Sequence, residues 1–501
     1  MEYLKKNKKI IGLVFAFLIL VASLFDKVLA SGLFLAAFLG VSAFLVFYKA
    51  GLRGRIPYLV FALAFLVHIL AVIFIFYTGF QPFSGGRGDY TTYNLTAIEV
   101  SERLSLGNFS LEGISYSHYY PIIIGYLYFL ALPSMLMGQL LNAWIAALGV
   151  FFAYLLVKEI GGNSRQAFWT AMAVNIYPSF LFYSSLMLKD PLVIALSLAG
   201  LLLMVKVLKS FSLKTFLAFY FVLGFLIHFR VYIGLALLLA FIVCWFFLAN
   251  LKIKKRLVYG GVIVVLLGFL PQFATAQGYY GIKFLKSYLN PEKIKYYREV
   301  VYAPPEEKAP VVEVTAKVEE APIPDALPLE PKIVEPAKPV EPAEPVQLAQ
   351  PKEVENSFSA PGQQSSVTVE AGFESPFVFI KNYLISFTYS LLGPFVWQMK
   401  HLRHFLVLPE LLGWYFLFFL ATKGVKENLK KYYRAALPLA VFGIIALGAL
   451  SLFINNFGII TRIRMPVFIA FACLSFMGAG FLSKYRFSRF FSNSLEFLLK
   501  I

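Results

Sequence analysis

The chain of 501 residues is 59% hydrophobic and 17% aromatic but only 14% charged, with a mean hydropathy of +0.73. Soluble domains carry about a quarter charged residues and disordered chains have few aromatics, so neither a water-soluble enzyme nor a disordered chain fits. The net charge of +18 understates the basic bias, because residues 303–356 hold 12 acids against 5 lysines and the rest of the chain carries +25.

Apolar runs long enough to cross hydrocarbon recur from Ile10 to Leu482. Only segments that satisfy their own backbone hydrogen bonds can do so, which makes them helices. The expected fold is an all-α polytopic membrane protein, a bundle of about 12 transmembrane helices with outer surface helices and a disordered outer tether. In chain order the expected spans are 10–26, 30–48, 57–79, 137–157, 165–185, 190–208, 213–229, 231–250, 256–273, 409–422, 435–454 and 464–482. The first follows a basic start but lacks a small-residue cleavage site, so it reads as a retained helix rather than a secretion signal.

Two further apolar stretches, 119–133 and 376–397, would put the Lys/Arg clusters on alternating sides if they crossed. As helices at the outer surface they leave the clusters together in 1–9, 49–56, 158–164, 206–212, 251–255, 423–434 and 483–501. The Lys/Arg excess over short loops marks the cytoplasmic side, so both termini are expected there and the remaining loops outside. The same clustering explains the basic balance by topology, with no nucleic-acid partner. The expected organisation is two extra helices in 1–56, a core in 57–273 with a first outer loop 80–136, an outer segment 274–375, and a C-terminal unit 376–501. Within the outer segment, 303–356 has Pro every few residues on a Val/Glu/Ala/Lys background and reads as an extended tether. Cys244 and Cys473 lie inside apolar spans and read as small core residues.

Outer-side acids near the membrane are scarce, so their positions carry weight. Asp89 follows a Gly-rich turn (GGRGDYTTY) and precedes Tyr90 and Tyr93, whose rings and hydroxyls can line a site; it also stands where a helix cap would. Lys189 and Asp190 sit in the short second loop (LKDP), where they can pair, cap the next helix, or bring Asp190 toward Asp89. Such a carboxylate pair suits a divalent cation (Mg or Mn), with Asp89 and Asp190 as tentative ligands, or general-base work. Arg230 follows a span whose only other basic residues are Lys214 at its far end and His228, and Arg462 and Arg464 sit at the mouth of the last one. These arginines break the inside-positive trend, and a planar guanidinium is a natural phosphate clamp, although snorkelling also accounts for Arg230. Carboxylates, arginines and aromatics on one face suit transfer of a sugar from a membrane-anchored polyprenyl phosphate.

The order GDYTTY (88–93), YYP (119–121), LLVKEIGG (155–162), LKDP (188–191), GPFVW (393–397), PELLGWYF (409–416) and NNFGIITRIRMP (455–466) resembles the GT-C glycosyltransferases. That superfamily includes the protein O-mannosyltransferases and the lipid A aminoarabinose transferase. The resemblance covers roughly 57–250 and, more loosely, 376–482. It implies a lipid-linked sugar donor, catalytic acids at Asp89 and Asp190, and donor-phosphate contacts from Arg230 and Arg462 or Arg464; Tyr90, Tyr93 and Lys189 complete the candidate substrate-binding residues by their positions beside the two acids. It also implies an inverting transfer on the extracytoplasmic face of the cell membrane, to a glycan, lipid or protein acceptor. Two rivals are a ligase or polymerase of surface polysaccharide using a diphosphate-linked glycan, and a lipid-linked glycan flippase.

Overall fold

The computed structural model describes residues 24, 26–52, 54–81, 88–116, 118–269, 290–296, 375–399, 405, 407–453 and 457–478. The expected span 10–26, the tether 303–356 and the tail 483–501 lie outside these residues apart from their edges. Every regular element among the described residues is helical, in keeping with an all-α polytopic membrane protein. In chain order these are α1 (Lys27–Lys49), α2 (Ile56–Thr78), α3 (Asp89–Ser105), α4 (Tyr120–Leu130), α5 (Met135–Glu159), α6 (Ser164–Asn175), α7 (Pro178–Ser184) and α8 (Asp190–Lys209). They continue with α9 (Leu213–Phe229), α10 (Val231–Leu248), α11 (Ile253–Phe269), α12 (Pro291–Tyr296), α13 (Pro376–Leu392), α14 (Leu408–Phe453), α15 (Phe457–Ile463) and α16 (Met465–Leu474).

Six helices among the described residues are long and apolar enough to cross a membrane: α1, α2, α5, α8, α10 and the Tyr432–Phe453 part of α14. Shorter apolar helices are Tyr120–Leu130, Leu213–Phe229 and Met465–Gly478. The stretch 119–133 forms only the 11-residue α4, about 16 Å long, which is too short to cross. The stretch 165–185, expected as one span, is instead two helices. Pro178 lacks an N–H and disfavours a helical residue before it, so α6 ends at Asn175 and α7 starts afresh.

A straight α14 would hold residues 414 and 451 about 55 Å apart. Yet Trp414 Nε1 donates to the Leu391 carbonyl while Ser451 Oγ donates to Ser390 Oγ, both on α13. The stretch therefore doubles back on itself, and its two arms correspond to the expected spans 409–422 and 435–454. On the first arm Gly424 meets the backbone of Gly478 so closely that a Cβ there would lie 2.2 Å from its nitrogen.

The most buried spans are α5 and α8. Alongside α5, α1 runs parallel: Trp144 Nε1 donates to Leu39 O, and Phe151 stacks on Phe47. Lys209 pairs with Glu159, Asn250 N donates to Leu208 O, and Tyr432 lies against Gly161. Those contacts gather the loops rich in Lys and Arg at one end of the bundle. At the other end α4 lies on α3, which Gly125 permits: a Cβ there would come within 2.5 Å of Val100. That end collects the N-termini of α3 and α8, the α9–α10 junction and the last residues of α15.

Candidate active site

Asp89 and Asp190 are each the first residue of a helix, after Gly88 and Lys189 as N-caps, and neither carboxylate caps its own helix. Acids in a first turn are favoured by the partial positive charge of the exposed N–H groups. Both carboxylates point instead to one guanidinium. Arg462 donates from Nε to Asp190 Oδ2 at 2.6 Å and from Nη1 to Asp89 Oδ2 at 2.9 Å. Asp190 Oδ1 accepts from Arg230 Nη2 at 2.8 Å, and Arg230 also donates from Nη1 to Tyr232 Oη. Burial works against the charge of Arg462, but Asp190 and then Asp89 outweigh it and raise its pKa above the usual value.

The two acids differ sharply in exposure. The Asp190 side chain is 3% exposed and both its oxygens are occupied, whereas the Asp89 side chain is 53% exposed. Asp89 alone of the pair is open to a substrate hydroxyl. Arg462 Nη2 is buried without a hydrogen-bond partner, leaving one donor of that guanidinium for a ligand. The Lys189 ammonium has no hydrogen bond or ion pair among the described residues, while its backbone carbonyl accepts from Val193 N. Burial, and then the neighbouring Arg230, push its pKa down to about 7.

Around these charges stands an aromatic wall. Tyr93, one helical turn after Asp89, shares a 3.0 Å hydrogen bond with His118 Nε2, and burial followed by Asp89 pushes its phenol up to about 12. Tyr90 is only 5% exposed and gives its hydroxyl to Gln81, so of the two expected tyrosines only Tyr93 faces the charges. Arg464 also departs from expectation. It is fully buried, donates Nη1 to Ser390 O and Gly393 O, and lies 4.3 Å over the Phe468 ring. One residue of spacing turns it to the opposite side of the chain from Arg462, where it ties α16 to the end of α13.

A cation site between Asp89 and Asp190 does not fit this donor set. The space between the carboxylates is taken by Arg462, Asp190 has no oxygen to spare, and no group of three or more His, Cys, Asp or Glu suited to a metal occurs among the described residues.

Asn142 is a further site residue that its sequence context conceals. It sits inside the apolar α5, donates from Nδ2 to Leu186 O and Leu188 O, and accepts from Tyr120 Oη. It thus fixes the loop that delivers Lys189 and Asp190. A lone Asn in the middle of a membrane span is the signal that points to it. His118, within YSHYYP, had no such signal, because its partner Tyr93 is 25 residues away.

The fold and this cluster define a polytopic helical membrane protein with an acid–arginine centre at one end of its bundle. Residues 121–274 match the family model of the dolichyl-phosphate-mannose-protein mannosyltransferases, a GT-C superfamily domain. This supports a membrane glycosyltransferase of the GT-C type. The match covers less than half of the chain and includes Asn142, Lys189, Asp190, His228 and Arg230, whereas Asp89, Tyr93, His118 and Arg462 lie outside it. No curated protein matches the chain.

Proposed function

We propose that the protein transfers a sugar from a polyprenyl-phosphate donor to an acceptor hydroxyl at the extracytoplasmic face of the cell membrane. The side follows from charge: the loops at the opposite end carry the Lys/Arg excess that stays in the cytoplasm. The observation that carries the reading is the division of labour imposed by Arg462, with a buried acid on one arm and an exposed one on the other.

Asp89 is the base. The acceptor oxygen attacks C1 of the sugar on the face opposite the phosphate, its proton passes to Asp89, and the C1–O bond to phosphate breaks with inversion. The departing phosphate takes the electron pair and is stabilised by Arg230, Lys189 and the spare donor of Arg462. Asp190 touches no substrate in this scheme; it holds both guanidiniums in place. Before the donor arrives, Arg462 is shared with Asp89. An arriving phosphate competes for that guanidinium and releases the Asp89 carboxylate for proton transfer.

The charge balance favours a phosphodiester donor. With Lys189 protonated, the state that a bound phosphate favours, Lys189, Arg230 and Arg462 carry three positive charges against two on Asp89 and Asp190, which leaves one for a single phosphate. A diphosphate-linked glycan, as a polysaccharide ligase would use, brings more negative charge than the cluster neutralises. The acceptor, whether protein, lipid or glycan, is not distinguished by these residues.

The test is Asp89→Asn, assayed in membranes with a polyprenyl-phosphate sugar. Loss of a general base should slow transfer by about 10³-fold while donor binding persists. Transfer at the wild-type rate would remove the proposed role of Asp89.

A further inference from the structure

The donor reading leaves a group of buried polar atoms unexplained. His118 is 3% exposed and its Nδ1 has no hydrogen-bond partner. His228, at the end of α9, has no partner for either ring nitrogen, and its ring stacks on Tyr119 at 5.0 Å between centroids. The two imidazoles and Lys189 lie within charge-interaction range of one another. His118 in turn packs edge-on against Tyr93 at 4.9 Å, which joins this group to the face of α3 that bears Asp89. Buried polar groups without partners are costly, so three orphaned nitrogens in one place call for something that hydrogen-bonds to them.

The same cations also meet residues of a different kind. The narrow gap against Asp190, Arg230 and Arg462 is lined by Val193, Ile194, Ile463 and Pro466, whose side chains are apolar. The cations therefore border apolar residues as well as the polar, aromatic group. A polyprenyl-phosphate sugar combines the same three kinds of group: apolar chain, phosphate, hydroxyl-bearing ring.

We propose that His118, His228 and Tyr119 form the subsite for the sugar ring of the donor, and that the ring is a neutral one. This rests on the donor reading above and extends it to the sugar. Neutral imidazoles each offer a donor or an acceptor to ring hydroxyls, and Tyr119 and Tyr93 supply faces for the C–H surface. Neutrality follows from the charges. The phosphodiester already balances the cluster, so a carboxylated sugar would have no cation left. An amino sugar would place an ammonium against Lys189.

The experiment uses the full chain in lipid nanodiscs and three short-chain probes: citronellyl phosphomannose, citronellyl methyl phosphate, and citronellyl phosphate diester of an amino sugar. Wild-type protein should bind the mannose probe about tenfold or more tighter than the methyl diester, and the amino-sugar probe no tighter than the methyl diester. His228→Phe keeps the ring stacked on Tyr119 but removes both nitrogens. It should erase most of the mannose preference while leaving affinity for the methyl diester unchanged. Arg230→Gln should weaken all three probes together. Full mannose preference in both His228→Phe and His118→Gln would overturn the subsite, as would equal wild-type affinity for mannose and methyl diesters. Wild-type protein that binds none of the phosphodiesters would overturn the donor reading itself.

Discussion

The unequal burial of the two acids predicts unequal coupling to Arg462. Arg462→Met removes the 2.6 Å bond to Asp190, whose side chain is 3% exposed, and the 2.9 Å bond to Asp89, which is 53% exposed. Breaking one arm of a buried ion pair costs about 3–5 kcal/mol because a desolvated charge loses its partner. Asp190 keeps Arg230 at 2.8 Å, which puts the expected cost near the lower end, about 3 kcal/mol. The Asp89 arm faces water and is worth no more than about 1 kcal/mol. Double-mutant cycles separate the two: Arg462→Met with Asp190→Asn should couple by about 2–3 kcal/mol, and with Asp89→Asn by less than about 1 kcal/mol. The measurement is reversible unfolding of the purified protein in mixed micelles, titrated with a denaturing detergent. Coupling to Asp89 as large as that to Asp190 would refute the assignment of Asp190 as the structural acid and Asp89 as the free one.

Four further outcomes follow from the same geometry. Because burial and Arg230 push Lys189 down to about 7, its charge is present below that pH and lost above it. Donor KM should therefore rise as the pH climbs through about 7, and Lys189→Arg should flatten that profile; an unchanged profile would count against Lys189 as a donor contact. The same shift makes the unfolded chain bind more protons than the folded one between about 7 and 10.5, so Lys189→Met should stabilise the protein most at low pH. Asn142→Leu removes three hydrogen bonds, which at the roughly 0.6 kcal/mol typical inside membranes amounts to about 2 kcal/mol, read in the same unfolding titration. Arg464→Met should lower the melting temperature of the detergent-purified protein without changing donor affinity in the molecules that remain folded, since its guanidinium reaches α13 rather than the charged centre.

Helical spans were legible because burial in lipid demands a long apolar run, and that demand is local. Where the structure departs from the reading, the cause is also local but finer than hydropathy: Pro178 interrupts a run whose composition alone looks continuous. Site residues were legible in proportion to how unusual each is in its own neighbourhood. Asp89, Asp190, Arg230 and Arg462 are charges beside apolar spans, and the fold brings all four into one chain of ion pairs. The same criterion admitted Arg464, which differs from Arg462 only in the direction in which it leaves the backbone. It missed His118 as well, whose meaning depends on Tyr93 and Lys189 from other segments.

What joins the acids is a contact between residues 373 and 272 positions apart in the chain. No periodicity encodes such a contact, yet it decides the chemistry. Two carboxylates close together with nothing between them would share a proton or a metal ion. With a guanidinium between them both can stay charged at once, one buried and fixed, the other at the surface. The exposed carboxylate is within reach of an acceptor hydroxyl once a competing anion draws Arg462 aside. In the proposed reaction the donor phosphate would be such an anion, so donor binding and activation of Asp89 would become a single event, and the base would be unmasked only when there is a sugar to transfer.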